Sequence, residues 1–572
     1  MSLHQVSIPA PWKTLIDLLE DRAETAPDQG VIYLADGERQ EVHLSHYSMQ
    51  QQAKTLAAHL QQRFQPGDRA VLLFGEGIDI IPAFFGVLYA GMVAVPLIPP
   101  RPGQPIDDLV SLMTDAQPSV LLTTTGLSGF LQPLLARDAT PPIINIETLD
   151  SLENFPWQRP AITSGSLASL LYTSGSTSTP RGVMMTHGHL LHRLAGYAAL
   201  MERIGSAGMT LNWLPIQHLM GLVASVLQPM YAGIQTVVLP TSKVIEQPLR
   251  WLQAMSRFRA NSSASPNFAL QMCLDRIQPE DRQGLDLSAW QHAFLSSEAI
   301  RSETLDQFAQ AYAAVGFQRQ AYCTVYGLSE GSGTFDLHSQ TVRPVMLNVA
   351  ADALEHGHIV IVPPGQGRVL VGSGQPMSGQ EIIIVNPETR QVVQGTQVGE
   401  IWIRGPQVAD GYWRQPEATA QTFQARLDSG AGPYLRSGDS GFFQDQDLYI
   451  TGRLKEMLII HGKNFYAVDL ELAAENAHPA LLPASSAAFS ISVEGEEQLV
   501  LIHEIRPENA AIDIAEVASL VRRRIGEHFF LPVHSVVLVE AGSVPRTETG
   551  KIRRAYARTL FLAELEAASL RA

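Results

Sequence analysis

Short apolar, β-prone runs alternate with helical segments through about residue 330 of this chain. Helical periodicity is clear at 12–22 and 48–63, and β-rich runs follow at 69–74, 93–97 and 119–123. A repeated strand–helix–strand order implies parallel sheets whose faces are covered by helices. We therefore predict an α/β fold with a large N-terminal domain of helix-covered sheets.

The pattern changes near residue 340 and again near residue 453. Strand-like runs such as 368–371 and 381–385 then lie close together with Gly/Pro turns between them, which indicates a β-rich lobe at about 340–450. Apolar strands and two helices, at about 469–476 and 515–528, follow as in a small α+β domain. With 572 residues the chain is too long for one hydrophobic core. We predict an N-terminal domain of residues 1–452, which includes the lobe, and a C-terminal domain of residues 453–572.

Composition excludes several classes of protein. The chain carries 40 Lys and Arg against 56 Asp and Glu, a formal net charge of −16. A field of that sign repels phosphate backbones and anionic lipids, so we expect no nucleic-acid partner. The two cysteines, Cys273 and Cys323, cannot build a disulfide framework, which indicates a reducing compartment. Since the first residues show no basic segment followed by an apolar run, we expect a cytoplasmic protein.

Two uncharged stretches could be mistaken for membrane spans. Residues 80–98 carry no charge, and residues 204–242 carry none apart from His218. Prolines and glycines interrupt both stretches, and the helical piece at about 219–231 is shorter than the roughly 20 residues that a bilayer requires. We therefore expect buried core rather than an integral membrane protein. So much uncharged sequence is also suited to line an apolar cavity.

A loop dense in hydroxyls and glycine, residues 173–182, joins two apolar strands. Small residues let backbone N–H groups approach a polyphosphate, hydroxyls add donors, and Arg181 adds positive charge. The spacing of a Walker loop is absent. On composition alone a flexible surface turn is an equally good interpretation, because short Gly/Ser loops are common.

Five segments occur in the order in which one family carries its motifs: Tyr172–Gly182, Val325–Glu330, Tyr434–Asp439, Gly452–Glu456 and Pro545–Lys551. They resemble, in turn, the phosphate loop, the Y-G-x-T/S-E motif, the T-G-D motif, the hinge motif and the C-terminal lysine motif of the adenylate-forming superfamily. That superfamily comprises acyl-CoA ligases, luciferases and peptide-synthetase adenylation domains. The resemblance covers nearly the whole chain and implies the acyl-adenylate-forming enzyme fold, in which the small C-terminal domain is mobile.

The resemblance implies a site for ATP and Mg²⁺ between the two domains. Ser329 would donate to the α-phosphate and Glu330 would bind Mg²⁺. Asp439 would accept hydrogen bonds from the ribose hydroxyls, supported by Arg453, although a surface ion pair is the plain alternative for either. The other ATP-binding residues that it implies are Thr173, Ser174, Gly175, Ser176, Thr177, Ser296, Ser297, Glu298, Tyr326 and Gly327.

Two lysines and a tyrosine receive specific roles from the resemblance. Lys551 would act between the substrate carboxylate and the α-phosphate as a mobile point charge, and we expect it to be the catalytic residue. Lys455 would be the hinge about which the C-terminal domain rotates between two half-reactions. Tyr326 would offer a flat face to adenine, although an ordinary core tyrosine fits the same sequence.

The acid pocket is predicted at residues 213–222, with His218, Met220 and Gly221 in its wall. An amino acid substrate would need a carboxylate there to pair with its ammonium group. No carboxylate occurs between residues 204 and 242, so an amino acid is disfavoured and a fatty acyl chain is favoured.

Within the superfamily the chain most resembles the fatty acyl-AMP ligases, which pass the acyl group to the phosphopantetheine of an acyl carrier protein. The matching segments are 213–221, 227–233, 298–305 and 405–413, and the stretch between Glu330 and Gly372 resembles the inserted segment of that subgroup. Four positions depart from the usual pattern: Leu219 replaces Asp, Ser178 and Ser296 replace Gly, and Arg181 replaces Lys.

The predicted reaction converts ATP and a fatty acid to acyl-AMP and pyrophosphate, and then transfers the acyl group to a separate carrier protein. An acyl- or aryl-CoA ligase and a non-catalytic homologue are the alternatives, and the intact Lys551, Asp439 and Glu330 argue against the second. The basic runs Arg522–Arg524 and Arg553–Arg554 could steer an acidic carrier. A solvated helix face is the more ordinary interpretation of the first run.

Overall fold

The computed structural model describes the elements of most of the chain. It covers residues 12–100, 106–135, 141–151, 155–173, 180–203, 208–335, 344–393, 395–461, 463–493, 496–507, 512–547 and 551–569. The strands are β1 (Gly30–Leu34), β2 (Glu41–Ser45), β3 (Arg69–Leu73), β4 (Val93–Leu97), β5 (Val120–Thr123), β6 (Ile143–Asn145), β7 (Leu167–Thr173), β8 (Arg181–Thr186), β9 (Thr210–Asn212), β10 (Thr236–Val238), β11 (Ser262–Ser265), β12 (His292–Leu295), β13 (Tyr322–Tyr326), β14 (Thr334–Phe335), β15 (Met346–Val349), β16 (Arg368–Val371), β17 (Gln375–Pro376), β18 (Glu381–Val385), β19 (Gly399–Arg404), β20 (Leu435–Gln444), β21 (Asp447–Arg453), β22 (Met457–Ile460), β23 (Lys463–Tyr466), β24 (Leu481–Val493), β25 (Glu496–Ile505) and β26 (Val533–Glu540). The α-helices are α1 (Leu15–Thr25), α2 (His46–Gln61), α3 (Ile80–Tyr89), α4 (Asp107–Ala116), α5 (Thr125–Leu135), α6 (His187–Arg203), α7 (Leu219–Leu222), α8 (Gln228–Ala232), α9 (Thr241–Glu246), α10 (Leu249–Phe258), α11 (Asn267–Arg276), α12 (Ser302–Tyr312), α13 (Ala351–Glu355), α14 (Pro416–Phe423), α15 (Ala467–Glu475), α16 (Ile514–Phe529) and α17 (Arg554–Ser569).

Two mostly parallel sheets form the body of the chain up to β14. The first has the strand order β17-β14-β13-β12-β11-β9-β10-β1-β2, and its central strands from β13 to β1 run parallel. The second has the order β6-β5-β3-β4-β7-β8, and only its last pair is antiparallel. Helices connect the parallel strands, as crossover connections require. The predicted α/β fold with helix-covered sheets is confirmed.

Most of the described residues in the two uncharged stretches predicted as core are buried. Every residue of α3 is buried, and α3 packs so tightly on α2 that a Cβ at Gly86 would lie 2.6 Å from Cδ2 of Leu56. Residues 219–232 form one helical run in which a π-helical turn, Val223–Leu227, separates α7 from α8. Among the described residues, no helix has both the length and the apolar character needed to cross a bilayer.

A region rich in antiparallel strands follows, and it brings one turn to the functional site. Strands β18, β19, β20 and β21 form an antiparallel sheet in that order. Within it Asp439 of β20 pairs with Arg453, the last residue of β21. The sheet therefore fixes the backbone of both residues before any side-chain contact is considered.

The C-terminal region has its own core. Strands β24, β25 and β26 form a sheet with α15 and α16 on one face and α17 on the other. Ion pairs hold this region against the rest of the chain: Arg301 with Glu475 at 2.8 Å, Arg368 with Asp469 at 2.9 Å, and Lys463 with Glu355 at 3.3 Å. Two of these ion pairs bind the same helix, because Asp469 and Glu475 lie near the two ends of α15.

Candidate functional site

A cavity of about 730 Å³ lies where the N-terminal sheets, the β-rich lobe and the C-terminal region meet. Its volume falls within the roughly 300–1,000 Å³ of small-molecule sites. The sequence-predicted residues in its wall are His218, Met220, Ser296, Ser297, Gly327, Ser329, Glu330, Arg453, Lys455 and Lys551. Gly221, Tyr326 and Asp439 are buried, and Glu298 is half-buried, next to residues of this wall.

The hairpin of β7 and β8 delivers both ends of the predicted phosphate loop to the cavity. Thr173 is the last residue of β7. The predicted residues Ser174, Gly175, Ser176 and Thr177 lie outside the described residues. Arg181 begins β8, and its guanidinium carbon lies 5.1 Å from the ring centroid of Tyr412. A cation therefore stands at the exit of the loop, on the face of an aromatic ring.

Ser329 and Glu330 follow β13 along the cavity wall, and two other side chains hold them. The hydroxyl of Tyr412 donates to Oε1 of Glu330 over 2.8 Å. Nη2 of Arg193 donates to the carbonyl oxygen of Ser329 over 2.8 Å, and Arg193 is only 1% exposed. Burial lowers the pKa of Arg193 to about 10, so the guanidinium stays charged at neutral pH. Arg193 thus fixes the main chain next to Glu330, and Tyr412 donates a hydrogen bond to the Glu330 carboxylate.

Asp439 is 6% exposed and its carboxylate is shared between two neighbours. The Tyr326 hydroxyl donates to Oδ2 over 2.9 Å, and Nε of Arg453 donates to Oδ1 over 3.1 Å. Burial raises the pKa of Asp439, and the Arg453 guanidinium opposes that rise. The tyrosine predicted to face adenine therefore also supports the carboxylate predicted to hold the ribose.

Buried Glu400 lies beneath the turn that carries Asp439. Its Oε2 accepts hydrogen bonds from Nε of Arg436 and from Nε1 of Trp402, each over 2.9 Å. Its Oε1 accepts from the backbone N–H of Gly438 over 3.3 Å. Gly438 has φ of +73°, a conformation that favours glycine. Glu400 therefore stabilises the tight turn and, with Arg436, adds charged groups to the cavity wall.

The turn Ser296–Glu298 has an unusual backbone. Ser297 has φ of +77°, which is rare for a residue with a side chain, and its hydroxyl lies 3.0 Å from Sδ of Met220. Glu298 accepts a hydrogen bond from the backbone N–H of Phe268 over 2.5 Å. Burial raises the pKa of Glu298. Ser296 and Ser297 are thus part of the cavity wall. The carboxylate of Glu298 binds the protein's own main chain at Phe268.

Lys551 enters the cavity from the C-terminal region. Its backbone N–H donates to Oγ1 of Thr547 over 3.1 Å, and its carbonyl accepts from the N–H of Thr547 over 2.7 Å. Residues 548–550, which complete this turn, lie outside the described part of the chain. Burial lowers the pKa of Lys551, Arg453 lowers it further, and Glu298 and Asp439 raise it. The lysine therefore lies within the electrostatic field of two of the predicted nucleotide-binding carboxylates, Glu298 and Asp439.

Between residues 210 and 297 the cavity is lined by both apolar and polar side chains. The apolar ones include Met220, Val223, Ala224, Ile234, Ala264 and Phe294, and the polar ones include Thr210, Asn212, Gln228 and Ser262. Gly221 is required here, because a Cβ would lie 1.9 Å from the carbonyl oxygen of Pro215. Burial lowers the pKa of His218 to about 4, so this imidazole is neutral at neutral pH. Among the described residues, no Asp or Glu from positions 208–297 lines the cavity.

The predicted hinge residue Lys455 lies in a short 3₁₀ helix, Leu454–Glu456, between β21 and β22. Its neighbour Glu456 accepts a hydrogen bond from Nη1 of Arg554. Nε and Nη2 of Arg554 each donate over 2.7 Å to the buried carboxylate of Glu471 on α15. The residue after Lys455 is therefore bound to the core of the C-terminal region.

Sequence reasoning assigned no role to Arg193, Glu400 or Tyr412. Arg193 occurs among apolar residues of α6, and a charge in an otherwise apolar stretch is a signal that could have been used. Glu400 belongs to β19, whose first five residues are all buried, and a charged residue in an apolar strand is a second such signal. Tyr412 belongs to a segment that supported the family resemblance, yet its partner Glu330 is 82 positions away, so no local pattern could reveal the contact.

Comparison with known proteins matches two family models to the chain. The model described as AMP-binding enzyme matches residues 19–413. The model described as Disco-interacting protein 2-like, AMP domain, matches residues 455–568.

Similar curated proteins are named as fatty acid ligases. The medium-chain-fatty-acid–[acyl-carrier-protein] ligase JamA of Moorena producens is 39% identical over 565 residues, which cover 96% of this chain and 95% of JamA. The putative fatty-acid–CoA ligase fadD21 of Mycobacterium leprae is 32% identical over 564 residues, which cover 95% of this chain and 96% of fadD21.

Solved structures agree in fold. A chain from structural and functional studies of fatty acyl-adenylate ligases from E. coli and L. pneumophila matches with a TM-score of 0.87 and 28% identity, covering 98% of this chain and 99% of that one. The fatty acyl-adenylate ligase from L. pneumophila in complex with acyl adenylate and pyrophosphate matches with a TM-score of 0.75 and 34% identity, covering 96% of each chain.

Proposed function

The chain belongs to the AMP-binding enzyme family, and from this premise and the geometry of its cavity we propose that it activates a fatty acid with ATP. The products of the first step are acyl-AMP and pyrophosphate. In the second step the acyl group passes to the phosphopantetheine thiol of a separate acyl carrier protein. The family match confirms the resemblance to adenylate-forming enzymes, and the named relatives make the chain an enzyme of the ligase class.

One observation carries the proposal: Glu330 and Lys551 line the same cavity, although they belong to two regions of the chain. A carboxylate that attacks a phosphate must approach another anion, so the site has to supply cations where charge develops. The half-buried ammonium of Lys551 supplies one such charge, and Arg453 in the same wall supplies another. We infer that Lys551 contacts the substrate carboxylate and the α-phosphate and stabilises the charge that moves between them.

The positions of other residues in and beside the cavity wall support the proposed nucleotide roles. The carboxylate of Asp439 is held by Tyr326 and Arg453 beside the cavity, which supports its role as acceptor for the ribose hydroxyls. Ser329 faces the cavity and suits a contact with the α-phosphate. The roles predicted for Thr173 to Thr177, Ser296 to Glu298 and Gly327 remain part of the proposal, with Tyr326 as the adenine neighbour.

The residues fit a magnesium ion that arrives with the nucleotide. Mg²⁺ is usually bound by one or two carboxylates together with substrate phosphates, rather than by a cage of protein ligands. Among the described residues no cluster of three or more His, Cys, Asp or Glu is arranged to hold a metal, whereas Glu330 presents one oriented carboxylate to the cavity. Glu330 would hold the ion, which when bound neutralises charge on the phosphates.

The apolar side chains that residues 219–294 contribute to the cavity wall support a fatty acid as the substrate. An amino acid would bring an ammonium group that needs a carboxylate, and residues 208–297 contribute no carboxylate to the described wall. His218, Met220 and Gly221 would contact the acyl chain. JamA is named for a medium-chain fatty acid and an acyl carrier protein, and we extend both to this chain.

The division into domains and the location belong to the same proposal. We place the rotation that exchanges the two half-reactions at Lys455, between residues 1–452 and 453–572. We expect the protein in the cytoplasm, since the chain has only two cysteines, Cys273 and Cys323, and both are buried. We expect no nucleic-acid partner for a chain of net charge −16.

The test is to incubate the full chain with ATP, Mg²⁺ and a panel of acids, and to identify products by mass spectrometry. Each acid is tested with coenzyme A, with phosphopantetheinylated carrier protein, and with neither thiol. Without a thiol we expect acyl-AMP with fatty acids and not with the other acids. With a thiol we expect the thioester mainly on the carrier protein. Equal thioester yields on both thiols would favour a CoA ligase, as the name of fadD21 suggests for that relative. Absence of acyl-AMP with every acid would contradict the proposed function.

A further inference from the structure

Tyr412 connects two parts of the cavity wall that are distant in sequence. Its hydroxyl donates to Oε1 of Glu330 over 2.8 Å, and its ring lies under the guanidinium of Arg181. Tyr412 is 4% exposed and packs edge-on against Phe423, with 5.1 Å between the ring centroids. The phenol is therefore fixed between the exit of the phosphate loop and a carboxylate of the cavity wall.

The main chain on both sides of this hydrogen bond is fixed as well. The N–H of Ala409 donates to the carbonyl of Glu330 over 2.8 Å. The buried Arg193 donates from Nη2 to the carbonyl of Ser329 and from Nε, over 3.1 Å, to the carbonyl of Gln407. One guanidinium thus binds the segment that carries the carboxylate and the segment that leads to the phenol. The distance between hydroxyl and carboxylate is consequently set by the fold.

We propose that Tyr412 is a positioning residue for metal binding by Glu330, because its O–H occupies one carboxylate oxygen and leaves the other for the ion of MgATP. This inference rests on the proposed function, in which Glu330 holds Mg²⁺. Hydrogen-bond partners behind a metal ligand orient it, and their loss costs roughly 10- to 100-fold in metal affinity.

A purely packing role for Tyr412 makes a different prediction. Tyr412→Phe removes one oxygen atom but keeps the ring against Phe423 and under Arg181. If packing alone mattered, this substitution would leave the metal dependence of nucleotide binding unchanged. If the hydroxyl orients Glu330, the substitution changes how much Mg²⁺ strengthens ATP binding and leaves the metal-free binding of ATP as it was.

The chain contains a matched control, Tyr434. Its hydroxyl donates to Oε2 of Glu381 over 3.2 Å, and the guanidinium carbon of Arg404 lies 4.9 Å from its ring centroid. Tyr434 is also 4% exposed. The same arginine–tyrosine–glutamate arrangement therefore occurs at a place that is not part of the cavity wall. Tyr434→Phe controls for loss of a buried tyrosine hydroxyl beside an arginine.

The experiment measures ATP binding to the full chain by isothermal titration calorimetry, without fatty acid, once with excess Mg²⁺ and once with EDTA. The ratio of the two dissociation constants gives the metal enhancement of ATP binding. We expect Tyr412→Phe to reduce this enhancement by about 10-fold with an unchanged dissociation constant in EDTA. Tyr434→Phe should retain the full enhancement. Glu330→Gln removes the proposed metal ligand itself. The double variant with Tyr412→Phe should therefore show the same metal enhancement of ATP binding as Glu330→Gln.

Three results would overturn the inference. One is that Tyr412→Phe has the same metal enhancement of ATP binding as the wild-type chain. Another is that Tyr412→Phe weakens ATP binding equally with and without Mg²⁺. The third is a further loss when Tyr412→Phe is added to Glu330→Gln. Pyrophosphate release by the wild-type chain with fatty acid is measured in parallel, so that failure of the proposed function is recognised separately from failure of this contact.

Discussion

Arg301 is the residue whose loss should separate the two half-reactions. Its Nη1 donates to both carboxylate oxygens of Glu475, over 3.0 and 2.8 Å, across the boundary to the C-terminal region. The two side chains are 16% and 14% exposed, so the pair is largely shielded from water. Arg301→Met keeps most of the volume of the side chain and leaves Glu475 without its cation. The C-terminal region then loses one of the contacts that hold Lys551 in the cavity.

The size of the effect follows from the environment of Glu475. Removing one partner of a fully buried ion pair costs about 3–5 kcal/mol. Glu475 is slightly exposed and its Oε2 still accepts a hydrogen bond from the N–H of Ala484 over 2.8 Å, so we take about 2–3 kcal/mol. Since about 1.4 kcal/mol corresponds to a factor of ten, the equilibrium that keeps Lys551 in the cavity shifts by roughly 30- to 150-fold.

The assay measures the two half-reactions separately. Pyrophosphate release reports formation of acyl-AMP, and transfer from purified acyl-AMP to the carrier thiol reports the second step. We expect Arg301→Met to slow pyrophosphate release by up to the factor above and to leave acyl transfer unchanged or faster. Arg259→Met is the matched control, because its pair with Asp286 is 63% and 49% exposed and contributes little. Equal losses in both half-reactions, or no loss in either, would refute the reasoning.

Three further predictions concern the site itself. Lys551→Ala should reduce pyrophosphate release by at least about 100-fold, as loss of one transition-state donor does, with an unchanged melting temperature; activity within a few-fold of wild type would contradict its role. Burial and Arg453 lower the pKa of Lys551. As the pH rises, its ammonium group therefore loses its proton at a lower pH than that of an ordinary lysine, whose pKa is roughly 10.4. The rate of acyl-AMP formation should therefore decline on the alkaline side before that pH, and Lys551→Arg should move the decline upward; a pH–rate profile with the same decline in both would rule this out. Asp439→Asn should remove the preference for ATP over 2′-deoxyATP, measured as the ratio of kcat/KM values, and a retained preference would argue against ribose binding.

The sequence predicts local structure well where a short apolar run has clear ends. Strands β4, β16 and β18 begin and end at the predicted residues, because each is an apolar run bounded by turn residues or a break in hydrophobicity. The uncharged stretch 80–98, which is predicted as buried core, contains the buried helix α3. These elements depend on their own residues and need no information about distant partners.

The contacts that orient the site are not local. Arg301 and Glu475 are 174 positions apart, and each alone is an ordinary charged residue on a helix boundary. Glu298 lies in a segment that matches the family and is predicted to bind ATP. Its carboxylate accepts a hydrogen bond from the backbone N–H of Phe268, which the sequence did not indicate. The family order of motifs predicts which residues meet at the cavity. It does not indicate which hydrogen bonds fix their directions, because these arise only when the sheets and the C-terminal region are assembled.

The bonds on either side of Lys455 limit how the small region can turn. Arg453 is paired in the sheet with Asp439 and bound to its carboxylate, whereas Glu456 is bound to Arg554. In the rotation proposed at Lys455, keeping both attachments confines the backbone change to the few residues around Leu454 and Lys455. A hinge of this length would limit the paths along which Lys551 can leave the cavity and return to it.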